Sequence, residues 1–182
     1  GPWIPPQLAS KKIDENLKCA NLNFMVKRSS PGGHGHTADP FNPAAYKLHA
    51  QQFEKAFAPY KDEKLLRGFF NDSYEYYAAN FTDNFYEEFK KRRGYDFQPY
   101  AREIFSQTKS WEKNKIKNTS PSKISPEDSE RIWQDYHQTL SDLLYETMTE
   151  FASASSKMGF LSVNQAHGSP GNLIDLYALA DI

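Results

Sequence analysis

With one cysteine in 182 residues, Cys19, the chain has no partner for an intrachain disulfide and too few thiolates for a cysteine-rich zinc site. Cys19 reads as a packing residue. Charge of one sign is also missing. The 22 Lys and Arg stand against 23 Asp and Glu, which argues against nucleic-acid binding and gives an anionic membrane surface little to attract. No run approaches the roughly 18 apolar residues of a membrane span, and the first residues lack the basic-then-apolar pattern of a signal peptide. If the natural protein is exported, that signal has been removed. No Gly-x-x-x-x-Gly-Lys phosphate loop, Gly-x-Gly-x-x-Gly fingerprint or Gly-x-Ser-x-Gly elbow occurs. Nucleotide and serine-hydrolase readings lose their usual support.

What is present is an alternation of helical and strand patterns over a length that suits one domain. Pro5-Pro6 opens a helix over Gln7 to Lys18, and Leu22 to Val26 forms a short strand. Ser29 to Phe41, rich in Gly and Pro, is a long exposed loop. Asn42-Pro43 pairs a cap with proline at the first helical position, for a helix to about Phe57 with Tyr46, Phe53 and Phe57 on its apolar side. Leu65 to Phe70 is a mostly apolar run with adjacent aromatics, which predicts a strand buried on both faces, as in a parallel sheet. Thr82 reads as the cap of a helix over Asp83 to Arg93, with Gly94 as its left-handed stop.

Phe85 and Phe89, four apart, belong to the core, and the basic run Lys90 to Arg93 complements the carbonyls of the last turn. Residues 107–125 are polar and lysine-rich, a surface insertion. Ser125-Pro126-Glu127-Asp128 starts a long helix to about Lys157. Phe160 to Val163 is a second buried strand, Leu173 to Ala180 a short helix, and Asp181-Ile182 the beginning of another strand. The alternation predicts an α/β fold with parallel strands and flanking helices.

Both apolar strands break abruptly into polar residues. Asn71, Asp72 and Glu75 follow the first; Asn164, Gln165 and His167 follow the second. In a parallel barrel the carboxyl ends of the strands open into one cleft, so both sets would meet there. A carboxyl partly desolvated among Tyr74, Tyr76 and Tyr77 would hold a proton near neutrality and donate it to a leaving group. Amide side chains suit sugar hydroxyls, and flat aromatics suit sugar faces. The alternative is that Asp72 and Glu75 cap the next helix or face water. His34 and His36, one residue apart in the glycine loop near Asp39, read as groups that hydrogen-bond substrate or loop; the rival is a metal-dependent hydrolase in which they are ligands. His49 and His137 lie within helices as packing or surface residues.

Five segments carry a family resemblance: Gly1 to Ala9, Asp39-Pro40-Phe41-Asn42-Pro43-Ala44-Ala45, Gly68-Phe69-Phe70-Asn71-Asp72-Ser73-Tyr74-Glu75, Phe89 to Asp96, and the long run Asn164-Gln165-Ala166-His167-Gly168-Ser169-Pro170-Gly171-Asn172-Leu173-Ile174-Asp175-Leu176-Tyr177. In that order they resemble glycoside hydrolase family 106, the α-L-rhamnosidase-like enzymes. The resemblance implies that residues 1–182 are a fragment of a (β/α)8 TIM-type catalytic barrel inside a larger, exported bacterial enzyme that degrades plant polysaccharides. It implies cleavage of terminal rhamnose by inversion, with calcium as the assisting metal and a periplasmic or extracellular location.

Glu75, with Asp72, is then the catalytic acid group or a substrate or calcium ligand. His34, His36, Asn71, Tyr74, Asn164, Gln165, His167 and Asn172 would bind the carbohydrate substrate. The chain is shorter than the roughly 250 residues of a whole barrel, and inversion needs two carboxyls roughly 6.5–9.5 Å apart. If the second lies beyond Ile182, the fragment is inactive alone. Open barrel edges would favour self-association or a rearranged compact sheet. The reading from a different class is a non-catalytic carbohydrate-binding domain.

Overall fold

The computed structural model describes residues 38–63, 66–75, 79–107 and 124–182. The expected first helix and strand, Cys19, His34, His36, Tyr76, Tyr77 and most of the 107–125 insertion lie outside the described residues. Along the chain the elements are α1 (Pro43–Phe57), a 3-10 turn (Ala58–Tyr60), β1 (Gly68–Asn71), α2 (Phe85–Arg93), α3 (Ala101–Gln107), α4 (Pro126–Lys157), β2 (Leu161–Asn164) and α5 (Leu173–Ala178). The fold is mixed and helix-rich, with a two-stranded parallel sheet among the described residues.

Local chemistry sets the helix ends. The Asn42 side chain accepts from the amides of Ala44 and Ala45, satisfying donors that the first turn of α1 leaves open. Ser125 does the same for Asp128 at the start of α4. α2 stops at Gly94, whose φ of 83° is left-handed and whose amide donates to the Lys90 carbonyl at 2.8 Å. The start of α2 differs from expectation: it begins at Phe85, with Asn84 at the cap position making no side-chain cap bond. The Thr82 carbonyl, rather than its hydroxyl, meets the Phe85 amide.

The described residues form two compact units, one from 79–107 and 124–139 and one from 38–75 and 140–182. The core of the first is a cluster of rings. Phe97 packs against Phe85, Phe89, Phe105 and Tyr136 with centroids 4.9–5.7 Å apart, all five being buried. The Tyr136 hydroxyl reaches the Asn80 carbonyl at 2.6 Å, and burial pushes its phenol far above the ordinary range. The basic run of α2 is used internally. Arg92 pairs with Glu88 at 2.9 Å, Lys90 with Asp96 at 3.0 Å, and the Arg93 Nε donates to the Thr139 hydroxyl at 3.1 Å.

In the second unit β1 and β2 run parallel, with Gly68 opposite Leu161 and Asn71 opposite Asn164. Phe69 meets Phe53 and Phe57 of α1 and also Phe160, at centroid distances of 5.0–5.9 Å. The pleat puts Phe69, Asn71, Ser162 and Asn164 on one side and Gly68, Phe70, Leu161 and Val163 on the other. Among the described residues, helices cover only the first side. The expectation of strands buried on both faces is therefore corrected: Phe70 is 59% exposed and Leu161 37%. Ile182 extends the ladder, donating to the Ser162 carbonyl and accepting from the Asn164 amide, both at 3.2 Å; these are the two bonds of a parallel bridge.

Two measurements test this account. A Cβ on Gly68 would stand 2.4 Å from the Leu161 carbonyl oxygen, a backbone atom that cannot swing aside. Gly68→Ala should lower the unfolding free energy by about 1–3 kcal/mol in urea titration. His137 lies tilted against Trp133, ring centroids 4.0 Å apart, and its buried Nε2 has no partner among the described residues, so desolvation lowers its pKa from 6.5. The unfolded chain then binds more protons, so the contribution of neutral His137 is present above pH 6.5 and lost as pH falls toward the depressed value. Wild-type stability should drop more steeply than that of His137→Gln on acidification below pH 6.5.

Candidate functional site

The last residues of β1 and β2 are both asparagines, in register. Asn71 Nδ2 donates to Asn164 Oδ1 at 2.9 Å; Asn164 Nδ2 donates to the Leu176 carbonyl of α5 at 3.0 Å; and the Tyr46 hydroxyl of α1 donates to Asn71 Oδ1 at 3.3 Å. The resulting chain of amides ties the sheet to α1 and α5. Asn164 is 6% exposed, so such bonding is what makes a polar group tolerable there.

Beyond these residues the two loops travel together. The Gln165 amide donates to the Asn71 carbonyl and the Tyr74 amide to the His167 carbonyl, each at 2.9 Å. Parallel pairing thus brings the residues after β1 and those after β2 to the same end of the sheet. Asp72, Glu75, Gln165 and His167 are exposed there, while Tyr74 is buried. The partly desolvated carboxyl expected from the sequence is not what the described residues provide: neither Asp72 nor Glu75 is buried. Neither caps the following helix, which starts at Phe85. Asp72 Oδ1 instead accepts from the Ser73 amide at 2.7 Å.

Asn172 caps α5, accepting from the Ile174 amide at 3.0 Å, and its own amide is held by the Ser141 hydroxyl at 3.1 Å. Among the described residues no group of three or more His, Cys, Asp or Glu side chains gathers as a metal cage would require. Nothing in the sequence pattern signals the Asp181 clasp. Asp181 Oδ2 accepts from the Ser162 amide at 2.8 Å and its hydroxyl at 2.9 Å, bonds that lower the Asp181 pKa. Tyr46 was legible only as one of an apolar stripe.

Replacing Asn164 by Leu removes the acceptor of Asn71 Nδ2 and the donor to Leu176. Asn164→Leu should lose about 1–3 kcal/mol of stability in urea titration, and Tyr46→Phe, at the long end of the chain, less.

Residues 25–174 match the family model described as alpha-L-rhamnosidase, glycoside hydrolase family 106. No curated protein matches the chain. Solved structures do match, among them a rhamnosidase from Novosphingobium sp. PP1Y, with a TM-score of 0.63 and 22% identity over 85% of this chain. At that identity the likeness concerns the fold. The chain spans 14% of the length of that structure. The family match covers most of the 182 residues, and the chain accordingly belongs to glycoside hydrolase family 106, the alpha-L-rhamnosidase family.

Proposed function

We propose that the chain is part of the catalytic domain of a longer glycoside hydrolase that removes terminal α-L-rhamnosyl groups from plant-type polysaccharides. The observation that carries this reading is the common direction of β1 and β2, which brings Glu75 and His167 to one end of a parallel sheet, their loops joined by the Tyr74–His167 backbone bond. Family membership supplies the chemistry. In this reading the sheet is a segment of a (β/α)8 barrel. The bridge made by Ile182 starts the next parallel strand, and the exposed side bearing Phe70, Leu161 and Val163 is the barrel interior, which side chains of further strands fill.

Glu75 is the acidic group offered to the glycosidic oxygen, and Asp72, Gln165 and His167, exposed beside it, meet sugar hydroxyls. A general acid holds its proton near neutrality only when withdrawn from water. Because Glu75 is exposed among the described residues, this role requires that further parts of the protein cover it, and inversion requires a second carboxyl roughly 6.5–9.5 Å away to activate water. Calcium does not fit the described residues alone. Asp72 and Glu75 provide two carboxylates without a third group of the set, so no step is assigned to the metal.

The test is the full-length enzyme on an aryl α-L-rhamnoside. Glu75→Gln should lower kcat by roughly 10²–10⁴-fold, the usual contribution of a proton-transfer group. Unchanged turnover would remove Glu75 from the mechanism; rhamnose binding without hydrolysis by the unmutated protein would favour a recognition domain.

A further inference from the structure

On the helix side of β1 a partly open pocket of about 170 Å³ lies between α1, β1 and the last turns of α4. Its walls are aromatic: Phe53 from α1, Phe69 from β1 and Phe151 from α4, with Ala50 and Ala154 leaving the space between them. Phe53 and Phe69 meet edge to face with centroids 5.9 Å apart. Most polar groups around the pocket are already committed. The Ser155 hydroxyl donates to the Phe151 carbonyl, and the Tyr46 hydroxyl and the Asn71 amide bond one another. A water needs two to four polar partners, so water fills such a space poorly, while an apolar cavity of about 150 Å³ suffices for one benzene ring.

One polar group differs. His49 is exposed, touches Phe53 edge to face at 4.9 Å, and makes no hydrogen bond through its ring nitrogens among the described residues. An imidazole offers both a donor and an acceptor. We propose that this pocket binds a single aromatic ring carrying a hydroxyl, a phenol, with the ring against Phe53, Phe69 and Phe151 and the hydroxyl on His49. Edge-to-face and offset contacts with three phenyl rings favour a flat aromatic guest over a saturated one. The site does not involve Glu75, so it stands or falls independently of the hydrolase reading.

Fluorine NMR titration of the full chain with 4-fluorophenol, beside fluorobenzene as the ring without a hydroxyl, tests it. Expected are saturable binding of both and a preference for the phenol of roughly two- to tenfold, the worth of one hydrogen bond. His49→Phe should erase that preference while keeping fluorobenzene binding. Ala50→Leu and Ala154→Leu fill the space from opposite walls, and either should abolish binding of both probes with helical circular dichroism retained. The absence of saturable binding up to the solubility limit, undiminished binding in both filled variants, or equal affinity of the unmutated chain for the two probes would each overturn the proposal.

Discussion

The backbone ladder between Gly68–Asn71 and Leu161–Asn164 joins strand ends that stand 93 residues apart in sequence. Closing so long a loop is costly, though the cost grows only slowly with length, and four ladder positions alone would not offset it. The asparagine pair at the carboxyl end and the ring contacts of Phe69 at the other side add the tertiary bonds that hold the ladder in place. Because the ladder is parallel, both strands finish at the same end. An antiparallel pairing of the same strands would send Glu75 and His167 to opposite ends of the sheet.

The two units solve the problem of burial differently. The first relies on rings whose mutual geometry supplies both area and orientation, with Phe97 and Tyr136 stacked 11° from parallel and Phe85 and Phe105 set edge-on to Phe97. The second relies on a sheet side covered by helices and bound to them through amides and a tyrosine hydroxyl. A buried amide chain is costly unless every member is satisfied, and both nitrogens and both oxygens of Asn71 and Asn164 have partners. Such a network rejects approximate arrangements of the strand ends.

Much of this was legible wherever the cause is local. The Asn42 cap, the Gly94 stop and the Ser125 start follow from hydrogen bonds within a few residues, and the long helix to Lys157 follows from a periodicity that persists along its length. Phe85 and Phe89 were core by the same logic. What depends on distant partners was not legible. Adjacent aromatics at Phe69 and Phe70 look alike in sequence, yet one meets α1 and the other is largely exposed, because among the described residues helices cover only one side. Asn71 and Asn164 announce polar groups at strand ends, but nothing in the sequence couples them to Tyr46 or to the carbonyl of Leu176. The coupling of Asp181 to Ser162 is silent for the same reason.

The tight contact at Gly68 also guards against mispairing. A slide of β1 by one position would put Arg67 or Phe69 where a β-carbon comes within 2.4 Å of the Leu161 oxygen, and would turn Phe69 and Asn71 away from their helical partners. The missing side chain therefore acts as a key: of the alignments that a run of similar aromatics would otherwise allow, it admits one.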